Sequence, residues 1–213
     1  IAEMFPEYDK AIYIDSDTIV EGDISELYNH DIGDKYVGAC HEQAMVQVDG
    51  YGTYVEKCMG IDRNNYFNAG IMLINCDRFR RQKVLDQFIE LLQVYDFKVT
   101  QDEDYLNVIC HNNVYWLDQA WNTEMFGEIT FPEEDYKIIH YIMVSKPWHY
   151  TDCRCGDHFW KYAAKTSVYE EMKQIQASYT DAEKERDRIS CDKLLELAIS
   201  ESKREDTFLN RKK

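Results

Sequence analysis

Short apolar runs bounded by polar residues alternate along this chain with stretches whose apolar residues recur every three or four positions. The runs predict buried strands and the periodic stretches predict amphipathic helices. Strands are expected over residues 10–14, 36–40, 66–75, 114–117 and 136–141. A short helix is expected over 23–29, where Asp23 stands as an N-cap before Ile24, Leu27 and Tyr28. A longer helix should run from 77 to about 95, burying Phe79, Val84, Leu85, Phe88, Ile89 and Leu92. Further helices are expected over 101–110 and from 157 to about 175. Between 41 and 65 the period is lost around Gly50, Gly52 and Gly60. That stretch reads as a long irregular connection, either a binding loop or a flexible insertion. From Asp181 onward charged residues dominate, with Leu194, Leu195 and Leu197 as a modest apolar stripe. The chain therefore divides into an α/β domain over 1–176 and a charged helical tail over 177–213, packed weakly if at all.

The first strand stops at Asp15-Ser16-Asp17. In extended backbone residues i and i+2 share a face, so both carboxylates are expected to point together at the strand's carboxyl end. Open α/β sheets bind ligands there. Two like charges held close repel unless a cation neutralises them, and carboxylate oxygens suit Mg²⁺, Mn²⁺ or Ca²⁺. The plain alternative is a solvated turn. His140 closes another strand, six residues before Lys146-Pro147-Trp148. Alone it reads more readily as a structural histidine. As a third ligand, an imidazole among oxygens would shift the preference from Mg²⁺ toward Mn²⁺. Asn68-Ala69-Gly70 places small residues at the head of a strand, where a ligand can approach backbone closely. Asp102-Glu103-Asp104 crowds three carboxylates into the first turn of a helix, more than its dipole needs.

Charge narrows the partners. With 24 Lys+Arg against 40 Asp+Glu the net charge is −16, which argues against nucleic acid and against general docking on anionic lipid. No apolar stretch approaches the roughly 20 residues that span a bilayer, so no transmembrane segment is expected, and peripheral contact at the inner face of a membrane stays open. Seven cysteines, with Cys153 and Cys155 spaced C-x-C rather than C-x-x-C, read as reduced thiols of a cytoplasmic protein. The opening Ile1-Ala2-Glu3-Met4-Phe5 starts in mid-pattern, so the first part of the domain is expected to precede it.

Four motifs in order carry a resemblance: Phe5-Pro6-Glu7-Tyr8-Asp9-Lys10 running into Ile14-Asp15-Ser16-Asp17, Phe67-Asn68-Ala69-Gly70-Ile71-Met72-Leu73-Ile74-Asn75, Asp102-Glu103-Asp104-Tyr105-Leu106-Asn107, and His140 with Lys146-Pro147-Trp148. Over residues 1–169 the chain resembles family 8 of the retaining glycosyltransferases. The resemblance implies an α/β GT-A fold, a three-layer sandwich around a mixed sheet, here N-terminally incomplete. It also implies a UDP-sugar donor (glucose or galactose), Mn²⁺ with Mg²⁺ as the alternative, and a saccharide or lipid-linked glycan acceptor of cell-envelope polysaccharide synthesis. Carried over by motif, Asp15, Asp17 and His140 resemble the metal ligands and Lys146 the lysine on the donor diphosphate. Ser16, Asn68, Ala69 and Asp102 fall on the donor side, and Glu103 with Asp102 at the catalytic position. Two departures stand out: the family commonly has Asp-Gln-Asp where Glu103 is central here, and it usually has a glycine where residues 141–145 have none. Two rival readings remain. Asp15-Ser16-Asp17-Thr18 also fits a haloacid-dehalogenase-like Mg²⁺ phosphatase, with Lys137 and Asp102 or Asp104 in supporting roles. The second is a truncated, non-catalytic sugar-binding module.

Overall fold

The computed structural model describes residues 1–211, whose strands form two small mixed sheets. The first sheet holds β1 (Lys10–Ile14), β3 (Val37–His41), β4 (Phe67–Asn75) and β5 (Val114–Trp116) in the order β1-β4-β3-β5. Its β1–β4 and β3–β4 pairs are antiparallel and β3–β5 is parallel. The second holds β2 (Thr18–Val20), β6 (Thr123–Glu124) and β7 (Ile138–His140) in the order β2-β7-β6. The two sheets meet at Asp15-Ser16-Asp17. Asp15 N donates to Gly70 O of the first sheet at 2.8 Å, while Tyr141 N, just past the second, donates to Asp17 O at 3.0 Å. The acidic pair is therefore a turn that passes the chain from one sheet to the other.

Alternation along the strands builds the core on both sides. Val37, Ala39, Met72 and Ile74 face one cluster; Cys40 and Ile71 face another that includes Ile138 and Trp121. Ile139, the next residue along β7, turns instead toward Tyr141 and Phe159. Within β4 the alternation is interrupted. Ala39 pairs with Met72 and His41 with Phe67, so two steps along β3 meet five along β4. Asn68, Ala69 and Gly70 lie in that irregularity, and a bulge of this kind re-aims side chains.

The helices depart further from expectation. The helix over 23–29 forms as α1 (Ile24–Tyr28), capped by the Asp23 carboxylate on Ser25 N. The stretch over 41–65 is not an irregular loop. It folds as α2 (Gln43–Gln47), α3 (Asp49–Tyr54), a π-helical turn over Val55–Met59 ended by Gly60 at φ 76°, and a 3-10 turn over Arg63–Asn65. Tyr54, Val55, Cys58, Met59 and Ile61 are core residues. Such short pieces with changing periods never sustain a 3.6-residue pattern long enough to be read.

The helix expected over 77–95 breaks at Lys83 (φ 53°) into α4 (Cys76–Arg81) and α5 (Val84–Val94). The break resets the phase. Val84, Phe88 and Leu91 pack inward, whereas Leu85, Ile89 and Leu92 are exposed. After α6 (Asp102–Cys110), the helix expected from 157 likewise forms two pieces, α7 (Gly156–Ala163) and α8 (Tyr169–Ser178). The charged stretch is helical, as α9 (Asp181–Glu201) and α10 (Phe208–Arg211), with a capping box between Thr180 and Glu183. It is not weakly packed. Ala198 is 0% exposed, Phe208 is buried against Tyr95 and Phe97, and Leu194, Leu195 and Leu197 lie on the same core. Among the described residues no helix is long and apolar enough to cross a membrane.

Candidate active site

The turn between the sheets gathers three of the expected ligands. Asp15 and Asp17 come together in the turn that carries the chain from β1 to β2, not by alternating along one strand; Thr18 Oγ1 donating to Asp15 O at 2.8 Å fixes the turn. Antiparallel pairing sets Thr18 opposite His140, which brings the end of β7 beside the turn. His140 is 3% exposed, and its Nε2 stands 3.3 Å from Asp17 Oδ1 and 3.7 Å from Asp15 Oδ2. One ligand atom from each of the three lies within 4.8 Å of the others.

The room for this cluster comes from Gly70. A Cβ there would stand 2.3 Å from His140 Cε1 and 2.9 Å from Asp15 Oδ2. The small residue expected to admit a ligand thus admits the imidazole and a carboxylate. His140 is held from behind. Its Nδ1 is 2.9 Å from Asn122 Oδ1, and Asn122 Nδ2 donates to Asn68 Oδ1 at 2.8 Å. With the Asn122 amide nitrogen turned to Asn68, its oxygen faces the imidazole, so Nδ1 donates to Asn122 and Nε2 is the ring nitrogen that faces the two carboxylates. A ring nitrogen and two carboxylates that converge in this way fit a divalent cation, and the backing amide fixes ring orientation as outer-shell partners of metal-bound histidines do.

Lys146 reaches the same point: its Nζ donates to Asp17 Oδ2 at 2.5 Å and to the Tyr141 carbonyl. Burial works against ionisation of Asp17, but hydrogen bonds from His140 and Lys146 outweigh it and hold the carboxyl well below its ordinary range. Tyr13 OH donates to Asp15 Oδ1 at 2.7 Å, and chiefly because of that bond its own pKa is pushed up to about 12.

The acidic run at the start of α6 separates, because adjacent helical residues point about 100° apart. Asp104 turns inward and is locked by Tyr54 OH and Tyr66 OH, each at 2.8 Å. Glu103 accepts from Ala69 N at 2.8 Å, and burial, reinforced by the Glu42 carboxylate, pushes its pKa well up. Asp102 is exposed at the rim. Tyr13, Asp15, Asp17, Asn68, Ala69, Gly70, Asp102, Glu103 and His140 all line one cleft of about 250 Å³. Ser16 is exposed at the tip of the turn and is not among the lining residues.

Three polar residues escaped the sequence reading. Glu42 lines the cleft, accepting from Ala44 N at 2.8 Å and from Asn68 Nδ2 at 2.5 Å. Its signal was present, a carboxylate directly after an apolar strand, as at Asp15. Asn122 sits in a 3-10 turn with no pattern to mark it. Glu124, 1% exposed, accepts from Gln43 N at 3.2 Å, and among the described residues its Oε1 has no hydrogen-bond partner. Burial, with the Glu42 and Glu103 carboxylates nearby, pushes its pKa well up.

Mixed sheets with an Asp-x-Asp turn at their junction, faced by a strand-end histidine and a lysine, define the GT-A class of sugar-transferring folds, and solved structures agree. The chain superposes on the bifunctional glycosyltransferase WbbM with a TM-score of 0.73 at 25% identity, covering 84% of this chain and 36% of that one. It matches the galactosyltransferase LgtC, solved with donor and acceptor sugar analogs, with a TM-score of 0.57 at 27% identity, covering 82% and 63%. The model for glycosyl transferase family 8 matches residues 1–152, and the chain belongs to that family. Among curated relatives, the lipopolysaccharide glucosyltransferase WaaO of Escherichia coli is 30% identical over 176 residues, 76% of this chain and 48% of its own length. A putative glycosyltransferase of Haemophilus influenzae is 29% identical over 161 residues, 70% and 48%. The chain spans about half the length of these curated relatives.

Proposed function

We propose that the protein is a metal-dependent retaining hexosyltransferase that moves glucose or galactose from a UDP-sugar to a saccharide or lipid-linked glycan acceptor. The observation that carries this reading is the meeting of Asp15, Asp17 and His140, with Lys146 paired to Asp17, in a cleft that Asn68 and Glu103 also line. Asp15, Asp17 and His140 would hold the cation, and the imidazole favours Mn²⁺ over Mg²⁺. When bound, the cation supplies positive charge where the nucleoside diphosphate departs. Lys146 adds a second, fixed charge at the same place and so stabilises charge that develops in the transition state. Asn68, with its amide oriented by Glu42 and Asn122, Ala69 and Asp102 would hold the donor sugar. Glu103 places a carboxyl beside that sugar, suited to stabilise an oxocarbenium-like centre or to attack it. Seven unpaired cysteines among the described residues suit a reducing compartment, so the reading puts the reaction in the cytoplasm, with peripheral contact at the membrane's inner face for a lipid-linked acceptor.

The phosphatase reading finds little support in the geometry. Asp104 is committed to Tyr54 and Tyr66, and Lys137 Nζ pairs with Glu26 at 3.0 Å. The test measures UDP release from UDP-glucose and UDP-galactose, with Mn²⁺ and with chelator, for the wild type and Asp17→Ala. The expected outcome is release that requires the metal and is lost in the variant. Release indifferent to both would overturn the reading. Hydrolysis of p-nitrophenyl phosphate with Mg²⁺ would return the phosphatase, and neither activity would leave the non-catalytic sugar-binding module.

A further inference from the structure

The cleft has a second wall that none of the motifs marks. Ala44 and Met45 of α2, Tyr51 of α3, Ile142 and Met143 after β7, and Leu194 of α9 line it alongside the polar groups. Apart from the Tyr51 hydroxyl these side chains present no hydrogen-bonding group, and Glu42 caps the start of α2 beside them. Leu194 is the unexpected member, since it arrives from the charged helix far beyond the last motif.

Anchors at both ends hold α9 in place. Near its start, Asp187 Oδ2 accepts from Tyr150 OH at 2.8 Å and from Tyr179 OH at 2.6 Å. The Tyr179 ring stacks on His149 at 4.0 Å, and Gln176 Nε2 donates to Pro147 O at 2.7 Å. These ties fix the helix to the segment that directly follows Lys146. Near its end, α9 lies on α3 at Gly50, where a Cβ would stand 2.6 Å from Leu195 Cδ1 and 3.1 Å from Ile199 Cγ1. The glycine that interrupted the sequence pattern is the seat of the helix, and Ala198 beside it is fully buried. Leu194 projects into the cleft between these anchors, as part of a wall that is already formed.

We infer that α9 forms the acceptor-side wall of the cleft and that Leu194 selects acceptors carrying an apolar group next to the accepting sugar. The word "acceptor" rests on the transferase reading; the apolar subsite does not. Around the metal triad, His140, Asn122, Asn68 and Glu42 bond one another. An incoming glycoside gains by covering the half-buried Leu194 and the exposed Met143 with carbon, over a floor of buried Met45, Tyr51 and Ile142.

The test compares two probes that differ only in their aglycone, methyl β-D-galactopyranoside and octyl β-D-galactopyranoside below its micelle-forming concentration. Calorimetry reads their binding to the wild type, Leu194→Asp and Leu194→Met. The octyl glycoside should bind the wild type about tenfold or more tightly than the methyl glycoside, the low end of what contacts in a hydrophobic pocket distinguish. Leu194→Met should keep that preference. Leu194→Asp should lose it while binding Mn²⁺ like the wild type, a split that general loss of folding would not produce. Equal binding of both glycosides by the wild type, or a preference that survives in Leu194→Asp, overturns the proposal. UDP release from UDP-sugars, measured on the same samples, separates the two readings. An octyl preference without metal-dependent release keeps the apolar subsite and removes the transferase; release without the preference does the reverse.

Discussion

Two walls of one cleft are built by different means. The polar wall is made at strand ends, by Asp15, Asp17, Asn68 and His140, where ladder bonds such as Asp15 N to Gly70 O fix backbone position. Side-chain bonds then fix the rest, from His140 through Asn122 and Asn68 to Glu42. The apolar wall is made by helices, the short α2 and α3 and the long α9, whose residues are placed by packing. Directional bonds at the first wall define atoms to a few tenths of an ångström, as a metal or a departing diphosphate requires. Packing at the second defines a surface and a volume, which suits selection by shape. One wall is suited to chemistry and the other to choice.

Substitutions can break this division. The largest effect is expected at Gly70→Ala. The new Cβ collides with His140 and Asp15, so Mn²⁺ affinity should fall by about 100-fold, the upper end for disturbed support of a metal ligand. Stability should fall by about 1–3 kcal/mol, as for overpacking. Met45→Ala serves as the counterpart. It should cost about 2–5 kcal/mol in chemical denaturation as a core truncation and leave Mn²⁺ affinity unchanged. Equal loss of metal binding in both variants would show that the walls are one unit.

A smaller effect is expected at Glu103→Gln. The amide oxygen can still accept from Ala69 N, so Mn²⁺ and UDP affinities should stay while turnover drops about tenfold or more, as when a charge-stabilising group is removed. Lost UDP binding would instead place Glu103 among the donor ligands.

Next comes a pH effect. Burial raises the folded-state pKa of Glu124, with Glu42 and Glu103 facing it. A carboxyl whose folded pKa lies above its unfolded value of about 4.5 binds more protons in the folded state. Its contribution is complete below that unfolded pKa and declines as pH rises toward the folded one. Glu124→Gln should therefore melt at higher temperature than the wild type at pH 8, with the difference vanishing near pH 4. A variant equal to the wild type across that range would mean the group is not held protonated.

The smallest effect is expected in the loop that lacks the family's usual glycine. Met143 adopts φ 57° there, so the left-handed conformation is present without the residue that best tolerates it. Met143→Gly should relieve strain of about 1–2 kcal/mol, partly offset by the flexibility glycine adds to the unfolded chain. Thermal melting should show a rise of at most a few degrees.

The polar wall was largely legible in the sequence. A carboxylate, an amide or an imidazole at the end or head of an apolar run is conspicuous: Asp15 and His140 end one, Asp17 follows two residues on, and Asn68 opens another. What was not legible was how they meet. Asp17 arrives through a turn between two sheets, and the alternation argument that paired it with Asp15 does not describe its backbone. Three carboxylates in one helical turn looked alike, yet Asp104 serves two tyrosines while Glu103 meets the cleft. The apolar wall was almost invisible. Helices of five or six residues give too few turns to show a period, and Gly50 and Gly52 read as loop residues until the close approach of Leu195 and Arg63 explains them. The helix α9 looked like a solvated tail because its charges follow the sequence all round, and the few carbons that anchor it carry little pattern.

Asp15, Asp17 and His140 are proposed to form one cation site. Titration of Mn²⁺ into the protein, following loss of the free-ion EPR signal, tests it most directly, with and without UDP, for the wild type and Asp17→Ala. The wild type should bind one equivalent, more tightly in the presence of UDP, and the variant should show no comparable binding. Identical titrations of the two proteins would contradict it.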